Sequence, residues 1–246
     1  SHAAVMFSVI DPETHIPFDQ FLINLRSQDV LGLKMGICSW FFDSCDTNIG
    51  EVAIRATRAI EKKGANLSEV NSYAVPEAGQ IFSQGGLAAS EFATLINKEF
   101  PDWKETLDPN VKSRFESMAN ISASDYDDRL QRLKLLAKEI EQVLSDVDVL
   151  VGPTVPITPP TIREVAEPHL YRKLNMSALR NTSVVNLLNL CAITIPAGLD
   201  SNGFPVGLQF IGRKGEDKKL LAATLAAERT LGSASEQIGK APLVTD

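Results

Sequence analysis

Side chains able to break covalent bonds are sparse in this chain. The three histidines are His2, His15 and His169. His2 is terminal, His15 lies in a proline-flanked loop, and His169 follows Glu167-Pro168. None stands in a context that suggests a base beside a nucleophile, so a Ser–His–Asp triad is not expected. The same histidines, with Cys38, Cys45 and Cys191, lack metal-ligand spacing, and neither a zinc site nor a cofactor is called for. Asp125, Asp127 and Asp128 crowd a helix start, where the dipole favours acids. Asp146 and Asp148 flank a strand entry, where Asp148 suits capping or leaving the strand better than acid–base work. Gly85-Gly86 lacks the glycine–lysine pattern of a phosphate loop and reads as a helix-packing feature.

Composition narrows the field further. The 246 residues, 44% hydrophobic, suffice for a sizeable core, and residues 1–246 read as one α/β domain. A net charge of −7 argues against nucleic acid and against a membrane surface, since both partners are polyanionic. The basic cluster Arg213, Lys214, Lys218 and Lys219 is diluted by Glu216 and Asp217 and reads as a solvated helix end. Three widely spaced cysteines suit a reducing compartment, and a cytoplasmic location is expected. No apolar run is long enough to span a membrane, and the apolar start lacks the basic region of a signal peptide.

The elements that must position any site follow from periodicity. Val30–Cys38 reads as a short strand. The next segment is helical, with Ile49, Val52, Ala53, Ala56 and Ile60 at helical spacing, Asn48 as its cap and Gly64 as its stop. Ala65–Val70 is a strand, completing a parallel βαβ unit. Pro76–Phe100 is a helix interrupted at Gly85-Gly86, Asp108–Ala119 a short helix, and Ser124–Leu144 an amphipathic one. Asp148–Pro160, "DVLVGPTVPITPP", is a buried strand that ends in a Pro-Thr-x-Pro turn. Asn175–Leu190 is helical. Ala192–Leu199 and Phe204–Gly212 form an antiparallel hairpin about Asn202-Gly203, and a last helix covers Asp217–Leu231 before a loose polar tail. The fold class is α/β, a mixed sheet flanked by helices.

The final third, "DVLVGPTVP" with "RNTSVVNLLNLCAITIPAGLDSNGFPVGLQFIG" and "EDKKLLAATLAAE", resembles the carboxy-terminal half of the amidase signature family. "LGLKMGIC", "DTNIGEVAIRATRAIEKKGANLSEV" and "ISASDYDDRLQR" resemble the family's βαβ unit and a later helix, and "AAVMFSVI" the tail of the helix closing its signature region. The resemblance implies chemistry at carboxylic amides. One serine attacks the carbonyl, a second serine relays protons, and a buried lysine is the ultimate base, giving an acyl-serine intermediate. This chain departs from the family at that point. It has no Gly-Gly-Ser-Ser-Gly-Gly segment, and Lys62 and Lys63 end a helix rather than matching the catalytic lysine. No catalytic residue can therefore be assigned in it. Two readings fit, a fragment of a longer amidase or a truncated protein that keeps half the fold, and the abrupt apolar start favours the fragment. Half of a mixed sheet would expose a long strand edge, so the missing amino-terminal half or a second copy is expected as partner.

The resemblance implies that this half supplies substrate-pocket wall for a small-molecule amide. By position Thr154, in Pro153-Thr154-Val155-Pro156, lies near that pocket, against the alternative of a plain structural turn. Tyr126 and Arg132 are the next candidates. Arg132 lies close to the position of a substrate-binding arginine in glutamine-using members, although the residues themselves favour a surface arginine. Asn186 and Asn189 are polar within an apolar helix; Asn189 is assigned to structure, and Asn186 is carried as a substrate-binding candidate. Two other functions stay open: a fragment of the glutamyl-tRNA amidotransferase A subunit, and a non-catalytic homologue acting as a binding module.

Overall fold

A computed structural model describes residues 18–112 and 121–239. Helix α1 (Phe18–Arg26) precedes β1 (Lys34–Ile37), and the short 3-10 turn Ser39–Phe41 leads to α2 (Thr47–Glu61). Strand β2 (Asn66–Glu69) is followed by α3 (Ala74–Gln84) and α4 (Leu87–Glu99). Helix α5 (Ala123–Val143) feeds β3 (Val149–Pro153). Then come α6 (Ile162–Val165), α7 (Pro168–Leu187), the strands β4 (Cys191–Leu199) and β5 (Pro205–Gly212), α8 (Asp217–Leu231) and α9 (Ala234–Ile238).

The five strands lie in the order β2-β1-β3-β5-β4. β1 runs parallel to β2 and β3, whereas β5 is antiparallel to both β3 and β4, so the sheet is mixed, as its residues predict. β3 is buried along its whole length, which explains why it reads as a continuous apolar run rather than an alternation. One face of the sheet packs Met35, Val149, Val151, Leu208 and Phe210 against the apolar stripe of α2 and against Leu220 and Ala227 of α8. The other packs Leu150 and Ile211 against α3, α5 and α7 through Val75, Ile81, Leu136, Ile140, Val184 and Leu188. Gly36 has no room for a side chain: a Cβ there would come within 2.6 Å of Val70 and 2.7 Å of Leu150.

Several local expectations are corrected. Helix α2 is capped at Asp46, not Asn48, and the Asp46 carboxylate accepts from Thr158 N–H at 2.8 Å rather than from its own first turn. The Asn48 amide donates instead to the Ser201 hydroxyl. The helix expected over Asn175–Leu190 begins at Pro168, because proline fills a first-turn position where no N–H is needed, and it ends at Leu187. After Gly232 the polar tail is not wholly irregular. Ser233 and Glu236 form a reciprocal capping box that starts α9. The break at Gly85-Gly86 is as expected; both glycines have positive φ, 66° and 93°, which separates α3 from α4. Residues 113–120 of the expected short helix, and "AAVMFSVI", fall outside the described residues. Among the described residues no helix is long and apolar enough to cross a membrane.

Candidate functional site

Because β1 and β3 are parallel, their carboxyl ends open on the same side of the sheet, where α/β folds place ligands. Two exits meet there, the Ser39–Phe41 turn after β1 and the Pro153-Thr154 turn after β3. Asn181 of α7 joins them. Its side chain is fully buried, and its amide donates to the Phe41 carbonyl at 2.9 Å and to the Pro153 carbonyl at 2.8 Å. The Asn181 amide oxygen accepts from the guanidinium of Arg180 at 3.0 Å. Arg180 lies over the Trp40 ring, 3.6 Å from its centroid, a cation–π contact. Trp40 is pressed from its own side by α3, where Gly79 leaves space that a Cβ would close to 2.4 Å.

Beside this cluster, the Thr154 hydroxyl lies 3.0 Å from that of Thr194 on β4, and Thr154 N–H donates to the Gly207 carbonyl at 2.9 Å. The Pro-Thr-x-Pro segment is held at its far end too. Asp46 N–H donates to the Pro156 carbonyl, and the Thr158 hydroxyl donates to Asp200 at 3.1 Å. Asp200 also accepts from Asn202 and Phe204 N–H at 2.9 and 2.8 Å, which closes the β4–β5 turn. A stiff proline-bounded wall results, tied to α2 on one side and to the hairpin on the other. Next to it, Phe42, Cys45, Asp46, Gly50, Glu51 and Ile54 line an open cleft of about 310 Å³.

The sequence-derived candidates do not converge. Thr154 belongs to the strand-exit cluster, with its hydroxyl on Thr194. Tyr126 lies elsewhere, lining a depression of about 1050 Å³ between α4 and the start of α5, where its hydroxyl donates to Glu91 at 2.6 Å. Arg132 faces α3 and forms a two-pronged pair with Glu77, its second contact 2.5 Å long. That hydrogen-bonded guanidinium holds the Glu77 carboxyl below its usual range. Asn186 is exposed, and Asn189 takes a left-handed conformation, φ 56°, just past the end of α7. Among the described residues, no hydrogen bond or ion pair links any two of the four candidates.

Residue-by-residue reading missed Arg180, Asn181, Trp40 and Thr194. A signal for Asn181 was present: it precedes Val184, Val185 and Leu188 by three, four and seven residues, so it falls on the buried stripe of α7. Asn186 lies off that stripe. A second buried amide, Gln209 of β5, sits between Gly152 and Thr194 in register, and neither of its polar side-chain atoms has a partner among the described residues. Burial, then the Asp46 charge, pushes the Cys45 thiol up to about 11; burial, then Asp217, does the same for Cys191, and burial raises Cys38. Among the described residues no group of three His, Cys, Asp or Glu side chains could hold a metal ion. In this cluster the hydroxyls pair with one another or with a carboxylate, an arrangement that binds and orients polar groups.

Comparison with known proteins gives this geometry its family. An α/β amidase-type fold is shared with solved structures. These include allophanate hydrolase from Kluyveromyces lactis (22% identity, TM-score 0.68, covering 88% of this chain and 34% of that one). Another is the A subunit of glutamyl-tRNA(Gln) amidotransferase from Thermotoga maritima (23%, 0.60, 87% and 46%). The family model described as Amidase matches residues 8–221, and the chain belongs to the amidase signature family. It is 35% identical over 211 residues to 2-amino-5-chloromuconic acid deaminase of Comamonas testosteroni, covering 85% of this chain and 46% of that protein. To the glutamyl-tRNA(Gln) amidotransferase A subunit of Lachnospira eligens it is 27% identical over 237 residues, covering 87% and 49%. The chain thus spans about half the length of the curated relatives it matches.

Proposed function

We propose that these residues form the substrate-pocket half of an amidase-type hydrolase that opens carbon–nitrogen amide bonds through an acyl-serine intermediate. The observation that carries this reading is the strand-exit cluster in a chain of the amidase family. Arg180, Asn181, Thr154 and Thr194 gather where β1 and β3 end, with groups that bind and orient, and the Thr154 and Thr194 hydroxyls pair with each other. Thr154 shapes the pocket wall. Tyr126, Arg132 and Asn186 serve the substrate only where a second half of the fold brings it to them. The nucleophilic serine, the relay serine and the lysine base belong to that second half, which corresponds to the part of the relatives this chain does not match. The nine-residue β4, paired only with β5 among the described residues, supports the same reading, since its outer edge can accept strands from such a half.

The test is reconstitution. The 246 residues alone are expected to turn over neither aliphatic nor aryl amides. The same residues joined to, or co-expressed with, an amidase amino-terminal half carrying the two serines and the lysine are expected to do so. Serine-dependent hydrolysis by the 246 residues alone, or silence of every reconstituted assembly, would overturn the proposal.

A further inference from the structure

Three arginines are closed by carboxylates. Arg132 grips Glu77, Arg58 meets Glu61 at 2.8 Å, and Arg213 meets Glu216 at 3.0 Å. Arg180 is different. Its guanidinium is half-buried, its one hydrogen bond among the described residues goes to a neutral amide, and its planar face rests on Trp40. Asp43 is within electrostatic reach, yet no carboxylate of the described residues stands at ion-pair distance from it. A guanidinium carries five N–H donors in a fixed fork. Here the NH1 group is engaged by Asn181, which leaves the Nε and NH2 prongs, the pair that matches a carboxylate bidentately.

Its surroundings hold that fork in place. Asn181 cannot swing, because its amide is fastened to the carbonyls of Phe41 and Pro153. Trp40 cannot drop away, because α3 approaches it at Gly79. A cation that is half-buried, stacked and held by a buried amide is preorganised for an anion and costs little further ordering when one binds. It also stands at the carboxyl ends of β1 and β3, one residue along α7 from the side chain that fastens the Pro153-Thr154 wall.

We propose that Arg180 is a specificity-determining residue that receives a carboxylate carried by the substrate outside the scissile amide, so that the substrate class is amides of acidic molecules, such as half-amides of dicarboxylic acids. This rests on the amidase reading of the same site and names its substrate class. Asp43 competes weakly for the cation from the exposed turn, and Trp40 excludes water from one face of the pair.

The test uses the active assembly containing these residues and a matched pair of probes, succinamate and butyramide. In the unaltered protein the kcat/KM ratio of succinamate to butyramide is expected to be large. It is expected to fall about 100-fold in Arg180→Met and in Arg180→Gln, as removal of a hydrogen-bonded charge pair requires, and to fall less in Arg180→Lys. Unfolding midpoints identify any variant that does not fold. Independently of variants, modification of unaltered Arg180 by phenylglyoxal, mapped by mass spectrometry, is expected to be slowed by succinamate and not by butyramide. Equal loss on both probes, or equal protection by both, makes Arg180 a structural prop and overturns the inference. If no amide is hydrolysed but succinamate alone protects Arg180, the amidase reading falls and the carboxylate site stands.

Discussion

Asn181 is the residue on which the strand-exit geometry turns. A single buried amide satisfies two main-chain carbonyls, at Phe41 in the turn after β1 and at Pro153, the last residue of β3. Replacing it by leucine would leave both carbonyls buried without a donor, at about 1–3 kcal/mol for each such group. Asn181→Leu is therefore expected to lower the stability of the fold by about 2–6 kcal/mol, read as a drop in the urea midpoint; a change below about 0.5 kcal/mol would contradict the role given to it. Asp200 gives a prediction in pH. Burial alone would raise its carboxyl, but the N–H groups of Phe204 and Asn202 and the Thr158 hydroxyl outweigh burial and hold it below the ordinary aspartate range. A group depressed in the folded state stabilises the fold above its unfolded pKa, about 3.9 for aspartate, and the contribution is lost as pH falls through the folded value. The stability gap between the unaltered protein and Asp200→Asn is accordingly expected to be widest near neutral pH and to narrow below about pH 4. Urea titrations across that range check it, and a gap independent of pH would count against the hydrogen-bond network.

At the scale of elements, the convergence of β3, β4 and β5 leaves no space at Gly207. A Cβ there would lie 2.7 Å from Thr194 Cγ2 and 2.8 Å from the Thr154 hydroxyl. Gly207→Ala is expected to separate the two threonines and destabilise by about 1–3 kcal/mol, the usual cost of overpacking. Gly50→Ala, in α2 with nothing within 4 Å of the new methyl, is its control and should stabilise by about 0.5–1 kcal/mol. Thermal unfolding of the pair reads the difference, and equal effects would show that close strand approach is not what glycine serves at 207. These elements were largely legible in the sequence. The stripe of α2, the paired glycines after α3, the buried run of β3 and the Asn-Gly turn are local patterns with local causes. The start of α7 was not legible, because the stretch before Asn175 lacks a long apolar stripe. The site itself was harder to read. Arg180, Trp40 and Asn181 meet only after α7, the β1 exit and α3 have packed, and that juxtaposition has no local signature. Arg132 stood out through the family resemblance, and its pairing had no local signal, because its partner, Glu77, lies 55 residues away on another helix.

For the molecule as a whole, the sheet distributes its burial unevenly. β3 is enclosed on both faces, while the outer strands β2 and β4 are each paired on one side among the described residues, and all but Ile195 of the nine residues of β4 are half-buried or exposed. A central strand with two covered faces explains how these residues hold together. The partly exposed β4 and a strand-exit cluster whose Thr154 and Thr194 hydroxyls pair with each other are the reasons for the proposal that bond-breaking lies in a second half of the fold. Labelling of the nucleophile tests that placement most directly. An amide-hydrolysing assembly containing these residues would be inactivated with a fluorophosphonate, digested, and the adduct mapped by mass spectrometry. One phosphonylated serine is expected, located outside residues 1–246. An adduct on a serine within those residues, formed in step with loss of activity, would contradict the placement.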